Sequence, residues 1–114
     1  MATVSLSRFE GDFEGMIGCI SLYRRGLDET YLSHYSWIYK QLEAVRAKLE
    51  TIGMYERCRE ALMQAEDLVR QGPERDEEAA TLLLAVSREL AHASGSYAKL
   101  QRKFKAQNDE GASR

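Results

Sequence analysis

The chain has 114 residues, 44% of them apolar, with 16 Lys plus Arg against 18 Asp plus Glu for a formal charge of −2. That size suits one domain with a single core, and the balanced charge lacks the basic excess that marks most nucleic-acid binders. One proline suits a mostly helical chain, two cysteines without paired histidines cannot build a zinc site, and no apolar run approaches membrane-spanning length. There is no basic leader running into an apolar stretch. The expectation is therefore a cytoplasmic chain with reduced thiols, binding neither membrane nor nucleic acid.

Residues 1–6 read as a lead-in. Ser7 and Glu10 have the spacing of a capping box. Phe9, Phe13, Met16, Ile17, Ile20, Tyr23 and Leu27 come next at helical spacing, which predicts a first helix over roughly 8–25. It carries Gly11, Gly15 and Gly18, each costing a helix about 1 kcal/mol relative to alanine. Gly11 and Gly15 share a face and would permit close approach of another backbone; the plainer reading is a weak helix that forms only when docked. Gly26 ends it, and Asp28 is the cap expected for the next.

Tyr31, Tyr35, Ile38, Leu42, Val45, Leu49 and Ile52 step by four and three without a miss. Gly53 interrupts that register, and Tyr55, Cys58, Leu62, Ala65 and Val69 start another. A break with Gly53 as the left-handed residue after a helix end is expected; the rival is one long helix over roughly 29–71 with a local distortion. Cys58 lies on its apolar stripe as a small core residue, and Cys19 sits at the edge of the first one.

Gln71-Gly72-Pro73 is the strongest punctuation. Beyond it Ala79, Leu83, Val86, Leu90, Ala93, Tyr97, Leu100 and Phe104 again alternate four and three, which predicts a last helix over 73–104. Glu74, Asp76, Glu77 and Glu78 open it and Lys99, Arg102, Lys103 and Lys105 close it, each set complementing the helix dipole. Ser94-Gly95-Ser96 is a soft spot: a kink, a close approach or a break. Residues 108–114 are expected to be a disordered tail to a single domain over 1–107. The fold class is all-α, an antiparallel three- to four-helix bundle or extended helical hairpin with coiled-coil-like heptad packing. An unbroken last helix would span about 48 Å and overhang the first, leaving Tyr97, Leu100 and Phe104 for a second copy or a partner to cover.

Trp37 lies off the stripe of its helix, among Ser33, His34, Lys40 and Gln41. Either the first helix folds over it, or it stands as an interface anchor; Tyr31, Tyr35 and Tyr39 thicken the same end into an aromatic patch. Glu89 and His92 have the Glu-x-x-His spacing of di-iron bundles, but the second pair such sites need is missing. Ala91-His92-Ala93-Ser94-Gly95-Ser96 resembles the histidine phosphotransfer family, with Gly95 where that family has lysine; the resemblance implies phosphate acceptance by His92. Leu22-Tyr23-Arg24 is similar to the signature of the LYR-motif family of small helical mitochondrial assembly factors, which implies partners such as acyl carrier protein and helper proteins.

No catalytic constellation, metal set or phosphate loop stands out. The sequence therefore points to a non-enzymatic interaction module, without cofactor or metal. Such an adaptor, assembly factor or chaperone would present an apolar helical groove to a helical segment of another protein, or to itself in a homo-oligomer. Its expected binding residues are Trp37, Tyr39, Tyr97, Leu100 and Phe104, with Gly95 permitting close approach. The alternatives are a relay through His92 and a purely structural self-assembling oligomer.

Overall fold

Capping and glycine chemistry cut the described residues into five α-helices. The computed structural model describes residues 4–27 and 29–95. These form α1 (Leu6–Arg24), α2 (Tyr31–Ala44), α3 (Arg46–Thr51), α4 (Tyr55–Gln71), a 3₁₀ turn (Pro73–Arg75) and α5 (Asp76–Ser94), with no strand among the described residues.

α1 begins earlier than the Ser7–Glu10 spacing predicts. Ser5 is the cap: its backbone is extended and its hydroxyl accepts the Arg8 N–H at 3.1 Å. Ser7 and Glu10 lie inside the helix instead. The earlier start includes Leu6, which packs partly buried against the core. At the other end, the Leu27 N–H reaches Leu22 O at 2.9 Å and the Gly26 N–H reaches Tyr23 O at 3.0 Å.

The same paired bonds close α3. The Met54 N–H reaches Leu49 O at 2.8 Å and the Gly53 N–H reaches Glu50 O at 3.1 Å, with Gly53 at φ +71°. A left-handed residue there favours glycine, so the break at Gly53 is real and the single helix over 29–71 is not. One interruption goes beyond the sequence expectation. Val45 leaves helical geometry at φ −106°, ψ 13°, yet its N–H bonds Gln41 O and its carbonyl accepts from Leu49, both at 3.0 Å. The hydrogen-bond ladder therefore passes through, and α2 and α3 form one bent wall whose Leu42, Val45 and Leu49 share a buried face.

The helices neighbour one another in a closed ring: α1 packs on α2 and α5, and α4 packs on α2, α3 and α5. Neighbours run antiparallel. Arg57 of α4 pairs with Glu89 of α5 at 3.0 Å, and the Tyr39 hydroxyl of α2 donates to Glu66 of α4 at 3.0 Å. Phe9, Phe13, Tyr31, Tyr35, Ile38, Leu42, Leu62, Leu83 and Leu90 fill the centre.

α1 and α5 are joined at both ends. The Arg24 guanidinium donates through Nε and Nη2 to both Asp76 carboxylate oxygens, at 2.8 and 3.0 Å, and through Nη2 to Val69 O at 2.5 Å. At the far end the Ser94 hydroxyl donates to the Glu10 carboxylate. Both helices have 19 residues. The predicted helix over 73–104 is thus corrected at each end. Pro73 opens a separate 3₁₀ turn, closed by the Arg75 N–H on Gly72 O at 3.1 Å. The helix stops at Ser94, with Gly95 at φ +85°. Ala93, placed on the core stripe by the heptad, is exposed. The physical reason is the length of α1: Glu10 already meets Ser94 near the start of α1, so little of α1 remains for a further turn of α5 to pack on. No overhang exists among the described residues. Among the described residues nothing approaches Gly95 closely, since a Cβ there would meet none of them within 4 Å; it supplies the left-handed turn. Asp28, Tyr97, Leu100, Phe104, the basic cluster at 99–105 and the tail at 108–114 lie outside the described residues.

The two-oxygen clamp on Arg24 is mostly shielded from water, with 26% and 18% of the two side chains exposed, and hydrogen bonds to charged partners of this kind contribute about 1.5–3 kcal/mol. Asp76→Ala should lower the unfolding free energy by about 2 kcal/mol. Glu78→Ala, which loses only an exposed pair with Arg75, should cost less than about 1 kcal/mol. Urea titrations of the two variants check the contrast.

Candidate interaction groove between α1 and α2

Residues four apart share a helix face. Gly11, Gly15 and Cys19 form one such row on α1, with Asp12 and Met16 beside it; Ser33 and Trp37 form the facing row on α2, with His34 beside it. Between the rows lies a groove of about 580 Å³ lined by these eight residues. Its floor is open because two side chains are missing. A Cβ built on Gly11 or on Gly15 would meet nothing within 4 Å. The close backbone approach that the two glycines permit is therefore not used within the described chain.

What holds α1 and α2 at this distance is a buried tyrosine pair. The Tyr31 hydroxyl donates to Met16 O at 3.2 Å and lies 2.8 Å from the Tyr35 hydroxyl. A phenol carries one proton, so Tyr35 is the donor of that second bond. The two rings meet edge to face at 5.4 Å, and Tyr23 stacks on Tyr31 at 5.6 Å. Burial pushes the Tyr31 phenol far above its ordinary value, with the neighbouring Tyr35 adding to it, and pushes Tyr35 up to about 12. Tyr31 and Tyr35 are thus core residues and not part of a surface aromatic patch.

Trp37 is 43% exposed: α1 passes beside it and does not fold over it. Tyr39 sits on the opposite flank of α2. It is half-buried, bonded to Glu66, and lines a separate depression of about 470 Å³ with Leu42, Glu43, Arg59 and Met63. Burial, and then the hydrogen bond to Glu66, raise its phenol above the ordinary value. The structure therefore does not bring Trp37 and Tyr39 onto one surface. Tyr97, Leu100 and Phe104 are outside the described residues.

Two features of this flank escaped sequence reasoning. Asp12 Oδ2 and Gln41 Oε1 are enclosed acceptors that receive no hydrogen bond from the described residues. Arg8 Nε stands 3.7 Å from Asp12 Oδ2, beyond hydrogen-bond reach. Asp12 lines the groove, and Gln41 lies one turn beyond Trp37. Unsatisfied buried acceptors are costly, and both call for a donor. The legible signal was the glycine pair at four-residue spacing with a tryptophan off its own stripe; the acceptors had none.

The other candidates resolve locally. His92 is exposed on the last turn of α5. Glu89 is engaged by Arg57, and no cluster of three His, Cys, Asp or Glu suited to a metal exists among the described residues. In the Leu22-Tyr23-Arg24 triplet, Leu22 is 40% exposed, Tyr23 stacks on Tyr31 and Arg24 clamps Asp76, so the packing of this fold accounts for the last two. Cys19 and Cys58 are both thiols; burial, then the Glu89 charge, push Cys58 up to about 12. No described helix is long and apolar enough to cross a membrane. No protein-family model, curated protein or solved structure matches the chain.

The buried acids make stability fall in alkali. Unfolded, Cys58 and Tyr35 ionise at about 8.5 and 10; folded, both are held up to about 12. The folded chain binds more protons across that window. The contribution of these groups is therefore complete below about pH 8.5 and is lost as pH rises toward 12. The melting temperature should fall steadily above about pH 9, with part of the phenolate absorbance appearing only together with loss of helix. A calorimetric pH series with parallel absorbance checks this.

Proposed function

We propose that this chain is a non-enzymatic interaction module, an antiparallel heptad-packed helical bundle that serves as an adaptor, assembly factor or chaperone by taking a partner's amphipathic helix into the α1–α2 groove. The observation that carries this reading is the glycine floor beside a half-exposed tryptophan. Gly11 and Gly15 each cost α1 about 1 kcal/mol, and no contact in the described fold needs the absence of their side chains. The space they leave lets another helix come close. Trp37 forms the wall of that space, and tryptophan at such a position is a common anchor of binding energy. Met16 adds apolar lining and Asp12 an enclosed carboxylate oxygen. The fitting partner is therefore a helix with an apolar ridge at i, i+3 or i+4, and i+7 and a basic residue next to it.

Selection of displayed helical peptides against the full chain tests this. Enriched peptides should carry that ridge and a flanking Lys or Arg. Trp37→Ala should weaken them about 30-fold, the equivalent of about 2 kcal/mol. Gly15→Leu should abolish binding with no loss of melting temperature, because it occupies the floor, a Cβ there meets nothing within 4 Å among the described residues, and leucine improves the helix tendency of α1. Peptides that bind both variants as tightly as the wild type would refute the groove as the docking site.

A further inference from the structure

The α1–α2 groove carries one side chain of the kind that changes charge near neutrality. Of its eight lining residues, Asp12, Cys19 and His34 have ionisable side chains. Between pH 5.5 and 7.5 imidazole is the one of these three types whose charge ordinarily changes. His34 is half-buried in the α2 wall. Its ring meets that of Tyr31 edge to face at 6.3 Å, and the Tyr31 hydroxyl is the group bonded to Met16 O across the two helices. The imidazole is thus seated against the residue that spaces α1 and α2.

The other charges around this wall are few. From α1, Asp12 and Cys19 share the groove, and Arg8 stands 3.7 Å from Asp12 Oδ2. Along α2, the residues three and four away are Thr30, Tyr31, Trp37 and Ile38, and none of them is charged. From α4, Arg59 and Glu66 line the depression on the opposite flank with Tyr39. From α3, Arg46 is engaged by Glu43 and Glu50. Asp12 is therefore the lining charge that attracts a basic partner, and His34 is the lining group able to oppose it.

We propose that His34 makes the α1–α2 groove pH-sensitive: its protonation weakens the hold on a helix flanked by Lys or Arg, so such partners bind more tightly at neutral pH than in mild acid. The proposal rests on the groove being the docking site and adds how its affinity is regulated. The imidazolium acts by charge alone. It repels the partner's basic residue and offsets the attraction of the Asp12 carboxylate. A unit charge added at this range in a partly wet site changes affinity by about fivefold, and salt screens the effect.

Two measurements on the full chain test this, with the selected helical peptides as probe. Wild-type affinity should fall about fivefold from pH 7.5 to 5.5 at low salt, and by less in high salt. His34→Gln should bind at both pH values as tightly as wild type does at pH 7.5, while Cys19→Ser should keep the wild-type pH dependence. The second measurement needs no variant. The chain has two histidines, so NMR can follow the imidazole protons of each. Because coupling between proton and peptide is reciprocal, saturation with peptide should lower the titration midpoint of His34 by about 0.7 in pH, the logarithm of that fivefold change. His92, on the last turn of α5, should keep its midpoint. An affinity that is flat with pH, or a His34 midpoint that peptide leaves in place, would overturn the pH dependence while the groove stands. Loss of the dependence in Cys19→Ser would overturn it too, assigning the effect to the thiol. If no selected peptide depends on Trp37 or Gly15, the groove itself fails, and the pH dependence with it.

Discussion

The arrangement depends on holding α1 in place. With three glycines in 19 residues, α1 has a poor intrinsic helix tendency, and most of its stability must come from packing. The fold supplies this by burying Phe9, Phe13, Met16 and Ile20 and by clamping both ends of α1 to its neighbours. Arg24 joins three elements at once: it leaves α1, grips Asp76 at the start of α5, and takes the Val69 carbonyl near the end of α4. A guanidinium can do this because it presents several donors in a planar fork. Its hydrogen bonds to Asp76 raise an already high pKa, so the guanidinium keeps its charge in any ordinary condition. The Glu10–Ser94 bond completes the alignment. Together these contacts set the position and tilt of α1, and with them the groove.

That same helix explains why a groove exists. The glycine-bearing flank of α1 faces the α2 flank that carries Trp37, while the tyrosine pair beneath keeps the two backbones apart. α1 therefore has two differently built sides. One is held by charge and apolar contact against α5 and the core; the other is open. A helix that gives up intrinsic stability on its open side, and is held by its closed side, is suited to receive another helix there.

Much of the core was readable from periodicity. The stripe from Tyr31 to Leu49 and the one from Tyr55 to Val69 are buried as their spacing predicts, because residues three and four apart must share a face. The break at Gly53 was readable for a chemical reason, as a left-handed residue at a lost register. Periodicity failed where the outcome depended on a neighbour. Ala93 continues the heptad of α5, yet whether it is covered depends on how far α1 extends, which no pattern in residues 73–104 encodes. The bend at Val45 leaves the stripe intact and so left no trace in it. Trp37 and Tyr39 both lie off their stripe, but two residues along a helix is about 200° around it, and the structure puts them on opposite flanks. The unsatisfied acceptors on Asp12 and Gln41 belong to three-dimensional enclosure, and residue type alone could not announce them.

Residue-resolved NMR of the full chain, titrated with a helical peptide selected against it, probes the groove most directly. Shift changes should concentrate on the Gly11, Gly15 and Cys19 amides and on the Trp37 indole, while the Tyr39–Glu66 flank stays still. Changes centred on Tyr39, Arg59 and Met63, with the glycine row and the indole undisturbed, would contradict a groove between α1 and α2 and move the docking surface to the other side of α2.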